Sequence, residues 1–231
     1  MKIPFTCKEF FDVFEAYNAA IWPAQVVAYI LAVVAIILAI RSTYMSDQIV
    51  SAILALFWTW TGVFYHIVHF RSINALAPAF GILFVLQGLL LVLFGVILHK
   101  LRFGFSTSPM PLVGACFIVY AMVVYPLLGV RLGHTYPRVP MFGVAPCPAT
   151  IFTFGLLLWA ARPLPGYLVI IPLLWSFIGM SAAINLRVPQ DYGLVVAGAI
   201  GSVLILVGNR KLRKVRRSAT EVDAANVAAS G

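Results

Sequence analysis

Seven stretches of this chain contain no Lys, Arg, Asp or Glu: Trp22–Ile40, Gln48–Phe70, Asn74–His99, Met110–Val130, Ala149–Ala161, Tyr167–Ile184 and Tyr192–Gly208. Crossing about 30 Å of hydrocarbon in a helix that rises about 1.5 Å per residue takes roughly 17–25 apolar residues. Six of the stretches meet that length, and the fifth is short unless it borrows from the Cys147–Pro148 before it. The stretches are continuously apolar instead of alternating, which points to helices and not to barrel strands. With 62% of 231 residues hydrophobic and 10% charged, the bilayer is the solvent for most side chains. The expected fold is therefore an all-α membrane protein with a bundle of seven transmembrane helices.

Ahead of the bundle, "TCKEFFDVFEAY" (Thr6–Tyr17) has capping-box spacing from Thr6 to Glu9, with Phe10, Phe11, Val13, Phe14 and Tyr17 on one broad face. Three units follow: an interfacial amphipathic helix over 1–20, the transmembrane domain over 21–208, and a basic juxtamembrane segment with a disordered cytoplasmic tail over 209–231. No small-residue cleavage pattern ends the first apolar run, so no removable signal peptide is expected. Placing the basic segment "NRKLRKVRR" inside puts ten cations there, those of that segment with Arg41, Lys100, Arg102 and Arg162. Six lie outside: Lys2, Lys8, Arg71, Arg131, Arg138 and Arg187. That bias favours an N-out, C-in orientation. It assigns the net charge of +9 to topology and to anionic lipids, not to nucleic acid.

Polar residues gather toward the outer end. "WTWTGVFYHIVHF" places His66 and His69 three apart. Helical steps back from His66 reach Gly62, Thr59, Ala55 and Ser51, a small and polar stripe that suits a path into the bundle. Asn74, Arg71, Asn185, Arg187, Asp191 and Tyr192 fall at the same level. So does the connector "RLGHTYPRVPMFGVAPCPATIFTF" (Arg131–Phe154), with His134, Tyr136 and Cys147. Pro148 fits the first turn of the fifth helix, which makes Cys147 its cap and favours the thiolate. Two His with one or two further N or S donors is a zinc or copper count, so His66, His69, His134 and Cys147 form a candidate metal set. Hydrogen bonding of the same imidazoles between helices is the plain alternative, as is a bridge between Cys7 and Cys147. Cys116 reads as packing.

The segments "AYNAAIWPAQ" (Ala16–Gln25), "YHIVHF", "INALAPAFGILFVLQG" and "GHTYPRVPMFGVAPCPATIFTFGLLL" (Gly133–Leu158) resemble an uncharacterised family of small bacterial seven-helix membrane proteins, sometimes labelled permease-like. The resemblance implies a bacterial inner-membrane location and carries no catalytic residue. Retinal proteins are excluded, because Tyr192–Gly208 lacks the Lys a Schiff base needs. The expected function is a small permease or channel-like protein for an ion, metal or small solute. Its extracytoplasmic vestibule would be built from His66, His69, Arg71, Asn74, His134, Tyr136 and Cys147, with Thr59 among the substrate-contacting residues of the inward path. The alternatives are a zinc-dependent membrane hydrolase and a non-transporting sensor or assembly protein.

Overall fold

In a computed structural model, residues 4–186 and 188–230 are described and form nine α-helices, some continued by π or 3-10 turns. Lys2 and Arg187, counted above with the outer cations, lie outside them. Helix α1 (Cys7–Ala20) starts at the capping box its spacing predicts: the Glu9 amide donates to Thr6 Oγ1 at 3.2 Å and the Thr6 amide to Glu9 Oε2 at 2.7 Å. Its apolar face lies on the other helices, with Phe14 and Tyr17 almost fully buried.

Six helical spans are long and apolar enough to cross a membrane. They are α2 (Ala24–Arg41), α3 (Ser46–Trp60, continued to Ser72), α4 (Ala77–Leu91, continued to Ile97), α5 and α6 (Pro109–Val119 and Tyr125–Arg131, joined by the π turn Tyr120–Val124), α8 (Tyr167–Leu186) and α9 (Tyr192–Ser230). The fifth apolar run departs from expectation. Helix α7 (Pro146–Leu157) has only 12 residues, about 18 Å of helix, and its residues are buried on every face apart from Cys147, which is half-buried. A helix surrounded by protein does not have to match the thickness of the lipid, and its all-round apolar character is what such a position selects. Its N-cap is Ala145 with Pro146 in the first turn, so Cys147 sits one residue inside the helix instead of capping it.

The proline-rich connector feeds α7 from the end that carries α1. Val139, Pro140, Phe142, Gly143, Val144 and Ala145 are buried, a non-helical backbone that needs protein partners at such depth. Helix α1 supplies them. Asn18 Nδ2 donates to the Pro137 and Val139 carbonyls at 2.7 and 2.8 Å, and the Tyr17 hydroxyl donates to the Val144 carbonyl at 2.8 Å. Gly143 is obligatory: its φ is +75°, and a Cβ there meets the Ala28 Cβ at 2.6 Å.

Helices α3 and α4 pack along a seam of small residues. Gly81, Gly88 and Gly95 recur every seven positions on α4, and a Cβ on each would strike α3 within 3 Å, at the Gly62 carbonyl, Thr59 Oγ1 and Ser51 Oγ respectively. Close backbone approach of this kind is what associates helices in lipid. At the opposite end from α1, Phe103 bridges to Ala160, and the Phe103 amide donates to Asp47 Oδ1 at 2.8 Å. Arg102, Arg162 and His99 line a cavity of about 330 Å³ there. Helix α9 continues as helix to Ser230, where disorder is the expectation from composition. The Ala-rich tail extends a helix already nucleated, so only the favourable propagation step remains.

Candidate functional site

Under α1 lies a cavity of about 600 Å³. Phe10 and Phe14 of α1 cover it, Tyr65, Phe70 and Phe80 from α3 and α4 wall it, and Pro146 and Cys147 reach it from the start of α7. Trp175, Gly179 and Ser181 of α8 and Asp191 in the turn before α9 also line it. The aromatic rings form one continuous group: Phe10–Phe14, Phe14–Tyr65 and Tyr65–Phe70 have centroids 5.1, 4.9 and 5.3 Å apart.

Besides Asn74 and Ser181, two buried polar features interrupt these apolar walls. Asp191 is 2% exposed, and its Oδ1 accepts the Tyr125 hydroxyl at 2.6 Å. It sits beside the Cys147 thiol. The 3-10 turn Pro189–Asp191 presents it, fixed from α5 and α6 by the Tyr120 hydroxyl donating to the Gln190 carbonyl at 2.7 Å. The second feature is the Trp175 indole Nε1, a buried donor with no nitrogen or oxygen partner among the described residues and only the Cys147 thiol, a weak acceptor, beside it. Buried polar atoms are paired in the great majority of cases, so a weakly paired donor at a cavity wall marks a place where a ligand atom can be held. Behind Trp175, at a centroid distance of 5.1 Å, His66 is fully buried with both ring nitrogens unpaired. The rings of Phe70, Phe80 and Phe84 surround it.

The lid is latched from outside. Arg138 of the connector reaches Asp12 Oδ1 at 2.6 Å and Glu15 Oε2 at 3.0 Å, and Lys8 Nζ reaches Asp12 Oδ2 at 2.7 Å. The Lys8 hydrogen bond, with the Arg138 charge beside it, holds the Asp12 carboxyl below its ordinary value. The backbone amide of Thr6 does the same for Glu9. His134 stacks on Phe11 of the lid with centroids 4.2 Å apart, and partial burial lowers its affinity for a proton.

Of the residues expected at the vestibule, Asn74 and Cys147 line the cavity and His66 lies one ring behind its wall. His69 does not line the cavity, and its Nδ1–H donates to the Phe64 carbonyl at 2.7 Å. Arg71 is exposed, and Tyr136 is half-exposed with its hydroxyl 3.4 Å from the Asn18 carbonyl. His134 contacts Gln190 Nε2 at 3.4 Å. Thr59 packs into the α3–α4 seam, so the stripe Ser51–Thr59–Gly62 is helix contact and not the lining of a path. Among the described residues no three His, Cys, Asp or Glu side chains converge where a metal ion could be held. The set His66, His69, His134 and Cys147 is thus not assembled, and a zinc or copper site on it has no geometric support. Cys7, Cys116 and Cys147 are all free, and the Cys7 thiol instead donates to the Leu186 carbonyl at 3.4 Å.

Residue spacing passes over Asp191, Tyr125 and Trp175 as a group. One signal was present for the first: Asp191 is the only acidic residue between Asp47 and Glu221. A lone carboxylate in an apolar region of that length marks function more often than packing. Nothing in the sequence singles out Trp175 among the five Trp.

Residues 7–216 match the model of a family of unknown function, DUF6064, and the chain belongs to that family. No curated protein and no solved structure matches it.

Proposed function

We propose that this DUF6064 protein is a multi-pass protein of the bacterial inner membrane, oriented N-out and C-in, that binds a small amphiphilic molecule in the cavity beneath α1. The observation that carries the reading is the cavity itself: about 600 Å³ of apolar-walled space on which Asp191 and the weakly paired Trp175 indole converge. Apolar walls with a few placed polar groups, in the size range of roughly 300–1,000 Å³, are the usual form of a small-molecule site. The orientation draws support from charge. Arg102 and Arg162 sit together at the end opposite α1, the end on which the cationic residues of the sequence are concentrated. In this orientation α1 is a lid on the outer side, and the connector and α7 together make the seventh crossing.

The test is saturable binding of a neutral fluorescent amphiphile, N-phenyl-1-naphthylamine, to protein in lipid nanodiscs. Wild type binds it with a defined stoichiometry, and Ser181→Trp, which puts bulk into the cavity, removes that component. Fluorescence that only rises linearly with added lipid, identical in both proteins, overturns the reading.

A transport reading has two observations of its own. A second cavity lies at the opposite end, and three spans contain π-helical segments, Thr61–His69, Val92–Ile97 and Tyr120–Val124, a geometry common at functional sites. Permeation requires the two cavities to communicate in alternation across the packed layer of Trp58, Phe84 and His66. Uptake of the bound amphiphile into sealed vesicles tests it, and binding without uptake rejects it.

A further inference from the structure

We propose that the ligand of the α1 cavity is a hydrophobic organic cation, an ammonium group on an apolar body that also carries a hydrogen-bond acceptor. The inference rests on the cavity being a binding site, as argued above, and assigns the chemistry of its occupant.

The first ground is the balance of charge. Asp191 is 2% exposed, reaches the cavity, and accepts the Tyr125 hydroxyl on one of its two oxygens, with the Cys147 thiol, a weak donor, as its only other partner among the described residues. A carboxylate taken out of water needs a paired charge or several donors. Among the described residues lining the cavity there is no Lys, Arg or His. Arg138, the cation of the connector, is committed to Asp12 and Glu15 on the outer side of the lid. The position facing Asp191 is therefore complementary to a ligand cation, while an anionic ligand meets a like charge and no partner.

The second ground is the wall. Phe10, Phe14, Tyr65, Phe70, Phe80 and Trp175 all line the cavity, and aromatic faces attract ammonium groups through the ring quadrupole, most strongly where water is excluded. A wall built for a neutral hydrocarbon has no need of aromatic rings over aliphatic side chains, and no need of a buried acid at one end. The third ground is Trp175 Nε1. With only the Cys147 thiol, a weak acceptor, beside it, this donor favours an acceptor on the ligand, an ether, hydroxyl or ester oxygen. An ammonium group and an oxygen on an apolar body describe a free amphiphilic amine and also the headgroup of an aminolipid. The two share one chemistry at Asp191 and Trp175.

Three phenyl-substituted probes of matched shape separate the possibilities, measured by tryptophan fluorescence on nanodisc-embedded protein: 4-phenoxybutylamine, 4-phenoxybutanol and 4-phenoxybutyrate. The amine binds at least about ten-fold more tightly than the alcohol, and the carboxylate binds more weakly than both. Asp191→Asn, which keeps an acceptor for Tyr125, brings amine and alcohol to equal affinity, and Asp191→Glu restores the difference. Trp175→Phe, read by competition against the naphthylamine probe, weakens the ether-bearing amine more than 5-phenylpentylamine, which lacks the oxygen. Equal binding of amine and alcohol to wild type overturns the cation assignment and leaves the cavity reading standing. Failure of every probe to bind saturably removes both. Lipid analysis of purified wild type against Asp191→Asn distinguishes the source: aminolipid enriched only in wild type identifies a lipid headgroup, and unchanged lipid with retained amine binding identifies a free amine.

Discussion

Asp191 and Tyr125 depend on each other. The Tyr125 ring is 1% exposed and its hydroxyl donates at 2.6 Å to a carboxylate that is itself 2% exposed. Removing the acceptor strands a buried hydroxyl, at a cost of about 1–3 kcal/mol, whereas replacing it by another acceptor does not. Asp191→Ala is thus expected to lower unfolding stability in detergent by an amount in that range, and Asp191→Asn by clearly less. Thermal unfolding followed by circular dichroism checks the order, and equal losses for the two variants contradict the shared hydrogen bond. The contrast with His66 is instructive. Both groups are buried and polar, but His66 has no partner on either nitrogen, so its imidazole contributes nothing comparable to stability. Its place behind Trp175 ties it to the cavity wall through ring packing alone.

At the scale of elements, two contacts hold the architecture that forms the site. The α3–α4 seam requires glycine, because a Cβ on Gly88 would lie 2.2 Å from Thr59 Oγ1 and 3.0 Å from the Ala55 carbonyl. Gly88→Ala is expected to destabilise by about 1–3 kcal/mol through overpacking, with partial recovery in Gly88→Ala/Thr59→Ala. Gly166→Ala, where nothing lies within 4 Å, is the neutral control. Midpoints of detergent-induced unfolding give the comparison, and an undisturbed Gly88→Ala rules out the seam. The second contact is the latch of α1 on Arg138. Lys8, on α1 itself, contributes most to holding the Asp12 carboxyl below its ordinary value of 3.8 and stays with the helix on release; the Arg138 contribution is the part docking adds, and through it the docked state binds fewer protons than the released one. The latch therefore contributes fully above that value and is lost as the pH falls below it. A spin label at the exposed Ala16 position is expected to be immobile at neutral pH and to gain mobility on acidification through that range. Arg138→Ala gives part of that mobility at neutral pH already. A line shape insensitive to both changes places the hold on α1 in the aromatic packing of Phe10, Phe14 and Tyr17 alone.

For the whole molecule, the helical bundle was legible because lipid imposes one requirement, length of apolar helix, that six of the seven charge-free stretches display and six helical spans meet. Helix α7 escaped that reasoning: Ala149–Ala161 has the same composition as a span but is shielded by protein, and composition does not report which solvent a residue meets. The site was less legible for two further reasons. The pairing of His66 with His69 assumes α-helical steps, while Thr61–His69 is π-helical, with wider i→i+5 turns that change which residues share a face. The cavity's polar features also come from α5–α6, α8 and the turn before α9, which no local spacing connects. Orientation remains the property on which the lid and the cavity's entrance depend, and it has a direct measurement. Cys7 is exposed at the α1 end, and Ser106 is exposed in the loop between α4 and α5 at the opposite end. In Cys116→Ser/Cys147→Ser protein in intact spheroplasts, a membrane-impermeant maleimide is expected to label Cys7. The same background with Cys7→Ser and Ser106→Cys is expected to label only after lysis. The reverse pattern inverts the protein, puts the cavity on the cytoplasmic side, and makes any amphiphile it binds an intracellular one.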